Sequence, residues 1–286
     1  MLLTNIVLLL VLLLSFFRID LILNISISTI SSFINTLFPS MFFSLVLCKL
    51  LIQNGCIKQL SKYLPILSYS TITYGLLSSI LGFAGGALLL KDAYDRNEIS
   101  KRDVESVTYC FCIPSISFFI TVGTLLKDLK IGVFLYLIQV IYSFFMLSFH
   151  PSTKCNLGIQ KATLNSISNA IQSSGLGLYS MLGYILLLRC GITLITLYFP
   201  LPFQIAMRYL GEFASSSLQI IQMNLPLTKQ LVLLSFVLGF GSFSAHLQTY
   251  ALLPIPLSYL YYFAYRIGQS IFSATLTTLY ILIFLN

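Results

Sequence analysis

The residues best suited to handle a small polar molecule fall in two short clusters. The first is Leu81-Gly82-Phe83-Ala84-Gly85-Gly86-Ala87, with three glycines inside an otherwise apolar segment. The second is Leu238-Gly239-Phe240-Gly241-Ser242-Phe243-Ser244, followed by His246 and Gln248. Glycine costs a helix interior about 1 kcal/mol against alanine, so glycines this dense either break a helix or let another pack closely. A break inside a membrane span frees backbone N–H and C=O groups, which can hold a substrate. On that reading the substrate contacts are Gly82, Phe83, Gly85, Gly86, Gly239, Phe240, Gly241, Ser242, Ser244, His246 and Gln248. Close helix packing is the competing reading for the glycines. A hydrogen-bonded packing role is the competing one for His246 and Gln248.

Glu212 lies in the small-residue stretch Tyr209-Leu210-Gly211-Glu212-Phe213-Ala214-Ser215-Ser216-Ser217-Leu218 and is the only acid after Asp128. A carboxylate within a span is costly and needs a task. Glu212 suits a coupling proton or cation; the alternative is an ion pair with Arg208 or Arg189. His246 carries a side chain that ordinarily titrates near neutral pH, suited to taking a proton or meeting an anion. Pro114, within Cys110-Phe111-Cys112-Ile113-Pro114-Ser115, bends or interrupts another span and frees a carbonyl.

Nothing in the sequence argues for an enzyme. There is no HExxH, GxSxG or Walker pattern, and His150 and His246 are far apart. No metal or other cofactor is expected: Cys110-Phe111-Cys112 is too tightly spaced and has no nearby histidine. The six cysteines (Cys48, Cys56, Cys110, Cys112, Cys155 and Cys190) read as buried or lipid-facing thiols.

The elements that carry these residues follow from composition. The 286-residue chain is 57% hydrophobic and 8% charged, where soluble chains carry about 25% charged residues. That excludes a soluble enzyme and a disordered chain. The net charge of +8 comes without a basic stretch interleaved with aromatics, so no nucleic acid is expected as a partner. Single bases such as Arg18, Lys49, Lys58, Lys62, Lys154 and Lys161 read as loops beside a lipid bilayer.

With roughly 20 apolar residues per crossing, spans are expected near 2–17, 20–37, 39–54, 66–88, 106–126, 130–149, 178–199, 203–222, 228–248 and 257–284. The first reads as an uncleaved segment, since it lacks a basic start and a cleavage pattern. Segment 20–37 is polar enough to lie along the interface unless protein covers it, and 156–175 reads as an amphipathic interfacial helix. Residues 91–105 hold five of the eight acids and four bases; they read as a solvated helical hairpin connector, with Ser100 and Asp103 capping the next helix. The fold class is therefore all-α: a polytopic integral membrane protein of eight to ten segments. Paired Gly-rich interruptions point to two pseudo-repeats, as in inverted-repeat transporters. The divisions are 1–37, N-terminal segments; 38–150, the first half; and 151–286, the second.

The segment from Gly82 to Ser100 resembles the first signature of the sporulation integral membrane protein YlbJ (SpoVV) family, whose members carry a nucleoside-recognition Gate domain. Gly239-Phe240-Gly241-Ser242-Phe243-Ser244-Ala245-His246-Leu247-Gln248 is similar to that family's second signature, the more specific of the two. The resemblance runs from about Phe38 to the C-terminus. Ala84 stands where the family has proline, Cys110 to Ser115 replaces its Cys-Asn-x-x-Gly-Pro run, and Ser215 and Ser216 replace an Asn and a Gly. The resemblance implies a membrane transporter that moves dipicolinic acid across the outer forespore membrane during sporulation. A small aromatic dianion fits the oriented N–H groups of broken helices, and Phe83, Phe240 and Phe243 suit its ring. The alternatives are a nucleoside or other small-metabolite transporter of the Gate type, and a non-transporting membrane scaffold with a degenerate site. The lipid bilayer and a small anionic substrate are the expected partners.

Overall fold

A computed structural model describes residues 2–150, 152–154, 164–211, 213–253 and 255–284. Helices α1 (Leu2–Phe17), α2 (Ile19–Ser32), α3 (Phe38–Gln53) and α4 (Cys56–Tyr63) open the chain, with a π-helical turn (Phe33–Leu37) joining α2 to α3. Then come α5 (Ser70–Asp95), α6 (Lys101–Phe111), α7 (Ile116–Leu125), α8 (Leu129–Leu147) and α9 (Leu164–Thr196). The last five are α10 (Leu201–Gly211), α11 (Phe213–Gln222), α12 (Leu227–Phe240), α13 (Phe243–Leu252) and α14 (Tyr259–Phe284). Among the described residues the only β pairing is an isolated bridge between Tyr69 and Lys154.

The chain is all-helical, with helices that fit a bilayer. Among the described residues five stretches are long and apolar enough to cross: α5, α6 with α7, α8, α9 from Asn165, and α12 with α13. Two bent pairs, Leu9–Phe17 with Ile19–Asn35 (94°) and Met41–Gln53 with Cys56–Tyr63 (69°), raise the number to seven if each is one span. The sequence suggested eight to ten segments. Residue 212, inside the expected span 203–222, lies outside the described residues.

Burial ranks the spans. The apolar window of α5 is 83% buried and that of α9 is 22% buried, so α5 is the central helix and α9 presents most of its surface outward. α14 shows why an apolar chain needs polar residues inside. Arg266, Gln269, Ser270, Ser273 and Thr277 are all buried, at helical spacing on one face. That face meets α12, where Ser235 and Thr277 share a hydrogen bond. It also meets α8, where Gln269 Nε2 donates to Gln139 Oε1 at 2.7 Å. Ile267, Ile271, Leu279 and Leu282 point outward. Polar glue between helices and apolar side chains toward the outside is the arrangement a lipid solvent favours.

Three sequence readings change. Residues 91–105 form the expected helical hairpin connector, with Lys91, Asp95, Asn97, Ser100, Lys101 and Arg102 exposed, but it is less solvated than expected: Asp103 is buried and Glu98 accepts from Tyr74 and Arg96. The predicted cap does form, Ser100 and Asp103 bonding reciprocally as a capping box. Lys49 is not a loop cation but is 1% exposed, pairing with Asp92 at 2.6 Å and donating to Ser173 at 2.8 Å. This pair ties α3, α5 and α9 together. Finally, the described part of 156–175 belongs to the long helix α9 rather than to a separate interfacial helix; residues 155–163 lie outside the described residues.

Candidate functional site

Three spans are interrupted near their middles, and the interruptions meet. In α5 the break is Gly82, at φ 82° and ψ −175°. Between α12 and α13 it is Gly241, at φ 84° and ψ −118°. Both conformations are essentially restricted to glycine. The third lies between α6 and α7, where residues 112–115 are unwound around Pro114.

Close approaches join them. A Cβ on Gly82 would lie 2.7 Å from the backbone N of Ser115, and one on Gly241 would lie 2.7 Å from Cζ of Phe83. The two glycine clusters that the sequence could not connect therefore touch, through Phe83.

Each break starts a new half-helix. Ser115 caps α7, its hydroxyl accepting from Phe118 N–H, and Ser242 caps α13, accepting from Ala245 N–H at 3.1 Å. With the half of α5 after Gly82, three helix N-termini gather here. Each carries about half a positive charge and unsatisfied N–H groups.

Two small voids border the junction. One, of about 30 Å³, is lined by Gly82, Phe83, Ser115, Phe213, Ser244 and Gln248 among others. The other, of about 10 Å³, lies beside Ser78, Gly86, Thr108, Cys112 and Thr249. One water needs about 10–15 Å³ measured this way. Both voids are of water size, too small for an aromatic ring.

The predicted site residues divide by role. Phe83 borders both voids and meets Phe213 at 5.3 Å between ring centroids; Phe118 meets Phe213 at 5.0 Å. Ser244 and Gln248 line the larger void and bond to each other at 2.9 Å. Gly86 packs against Ser78, Gly85 against Leu81 and Met41, and Gly239 against the α14 backbone at Ser270, so close packing explains these three. Phe240 packs edge-on against His246, and Phe243 meets Phe240 and Phe263. His246 is 1% exposed, ringed by Phe83, Phe240, Tyr262 and Phe263, with Nδ1 2.8 Å from the Tyr262 hydroxyl. In this structure it is a hydrogen-bonded packing residue. Glu212 lies outside the described residues; Arg189, one of its two suggested partners, donates to Thr29 Oγ1 at 3.1 Å.

Sequence reasoning passed over two residues at the junction. Tyr262 and Arg266, both 0% exposed, project from α14. The Tyr262 hydroxyl also lies 3.1 Å from Cys112 Sγ. Arg266 donates to the carbonyls of Tyr109 and Cys112, at the C-terminal end of α6. Two carbonyls at the end of α6 thus have a cationic partner. The available signal was a lone arginine inside an apolar segment.

The fold and this junction define an integral membrane protein whose interrupted spans meet in its interior. No protein-family model, curated protein or solved structure matches the chain.

Proposed function

We propose that the chain is a membrane transporter for a small aromatic dicarboxylate. The resemblance of its two glycine clusters to the YlbJ (SpoVV) family makes dipicolinic acid, moved across the outer forespore membrane, the specific candidate. One observation carries the reading: Gly82 and Gly241, far apart in sequence, place interrupted helices against each other through Phe83. Helix N-termini favour carboxylates, and the rings of Phe83, Phe118 and Phe213 supply an apolar wall beside them. Asp92, which suits a dianion badly, is neutralised by Lys49. Transport then requires the junction to open, since a void of about 30 Å³ is near water size. The same small void favours a second reading, a non-transporting scaffold that keeps the fold without the site.

The test is dipicolinate release from liposomes containing the purified chain, read by terbium luminescence, with a nucleoside as comparison solute. Protein-dependent dipicolinate flux is the expected result. Flux of the nucleoside alone would move the assignment to the Gate-type alternative. No flux of either, with normal dipicolinate in spores of a deletion strain, would leave the scaffold.

A further inference from the structure

Among the described residues Arg266 is a buried cation without a carboxylate partner. It is 0% exposed, and the ion pairs among the described residues involve Lys49, Arg96 and Lys101 instead. Its two terminal nitrogens hold the Cys112 and Tyr109 carbonyls, while Nε has no hydrogen-bond partner among the described residues. The Tyr262 ring lies 5.8 Å from the guanidinium carbon. Neutral carbonyls and a ring face offset only part of the cost of burying a charge.

The placement is informative. Cys112 is the first residue of the unwound 112–115 stretch and borders the smaller void. Ser78, on the same void, has a buried hydroxyl with no partner among the described residues. A cation with no carboxylate partner and a hydroxyl with no partner among the described residues thus flank the unwound 112–115 stretch.

We infer that Arg266 is the counter-charge for a substrate carboxylate, masked in this structure by the carbonyls that end α6. When the 112–115 stretch moves, the guanidinium exchanges two carbonyl oxygens for the two oxygens of a carboxylate, the acceptor its planar fork matches best. The Ser78 hydroxyl donates to the same group. This inference rests on the anion-transport reading and supplies what that reading lacked, a cation inside the membrane. It makes Arg266 a specificity determinant, selecting carboxylates over neutral rings of the same shape.

The experiment measures the thermal unfolding midpoint of the purified protein in detergent, titrated with dipicolinate and separately with its neutral dicarboxamide. Wild type is expected to be stabilised by dipicolinate and not by the dicarboxamide. Arg266→Gln is expected to weaken the dipicolinate response by about tenfold to a hundredfold, the range for a lost hydrogen bond to a charged group. Arg266→Lys should retain part of it. An unchanged response in Arg266→Gln would overturn the inference and leave the anion-transport reading standing. Should the variants not fold, an equal response of wild type to both compounds overturns the inference by itself. A wild type that responds to neither would defeat both readings.

Discussion

The ring of Phe83 occupies the space that a side chain on Gly241 would need: a Cβ there would stand 2.7 Å from Phe83 Cζ. The two interrupted helices are thus fitted to each other at one residue pair. The fit depends on glycine for space and, at φ 84°, for backbone conformation.

Alanine at either break should therefore destabilise the fold. Gly241→Ala and Gly82→Ala are each expected to cost about 1–3 kcal/mol from backbone strain alone. Steric displacement of Phe83 or of the Ser115 backbone adds to that. Gly183→Ala is the control, because no atom lies within 4 Å of its Cβ position and it sits within α9; it should be neutral or stabilising by up to about 1 kcal/mol. Unfolding midpoints in detergent decide the matter. Equal midpoints for Gly241→Ala and wild type would show that this conformation does not hold the break.

The Lys49–Asp92 pair makes an asymmetric prediction. Lys49 is 1% exposed, whereas Asp92 keeps 24% exposure. Asp92→Asn strands an ammonium in the core and should cost about 3–5 kcal/mol. Lys49→Met leaves a carboxylate that water still reaches, and it should cost less. The double variant should be more stable than Asp92→Asn alone, since no charge is stranded. The reverse order in thermal melts would mean that the pair is hydrated in the folded protein.

These residues also mark how much of the molecule was legible beforehand. The breaks at Gly82, Gly241 and Pro114 were readable because local chemistry produces them: positive φ at two positions and a missing N–H at the third. The Ser100–Asp103 cap was readable for the same reason. Lys49, Arg266 and the α14 stripe were not, because their environment is set by helices distant in sequence. Lys49 is separated from Asp92 by a bend and a helix, and the same Lys-X-apolar pattern describes a loop. Gly239, Gly85 and Gly86 looked like Gly82, yet they serve packing, since density of glycine does not distinguish a break from a contact.

His150 couples stability to pH. Its Nε2 lies 2.7 Å from the Tyr265 hydroxyl and its Nδ1 lies 3.3 Å from Ser106 Oγ. Burial, and then the nearby Arg102 cation, hold its pKa below the ordinary 6.5. A histidine kept neutral by folding contributes stability fully above its unfolded pKa, and that contribution falls as pH drops through the lowered folded value. Wild type should therefore lose stability below about pH 6.5 more steeply than His150→Gln, which cannot titrate there. Parallel midpoint-versus-pH curves for the two proteins would remove His150 as the cause.

Tyr262 gives the sharpest test of how the junction is held. Its hydroxyl meets His246 Nδ1 at 2.8 Å and Cys112 Sγ at 3.1 Å, so one oxygen links α13 and the unwound 112–115 stretch to α14. Tyr262→Phe keeps the ring against Phe263 and removes only that link, leaving a buried imidazole nitrogen without its partner. The expected cost is about 1–3 kcal/mol, the penalty for an unsatisfied buried polar group. Sulfur is a weak hydrogen-bonding atom, so the two links should be unequal. A double-mutant cycle with His246→Phe should show coupling within the usual 0.5–3 kcal/mol, roughly, for residues in contact. The cycle with Cys112→Ala should show less. If the two couplings prove equal, the hydroxyl is committed as much to the unwound stretch as to His246, and any opening at 112–115 must first break that bond.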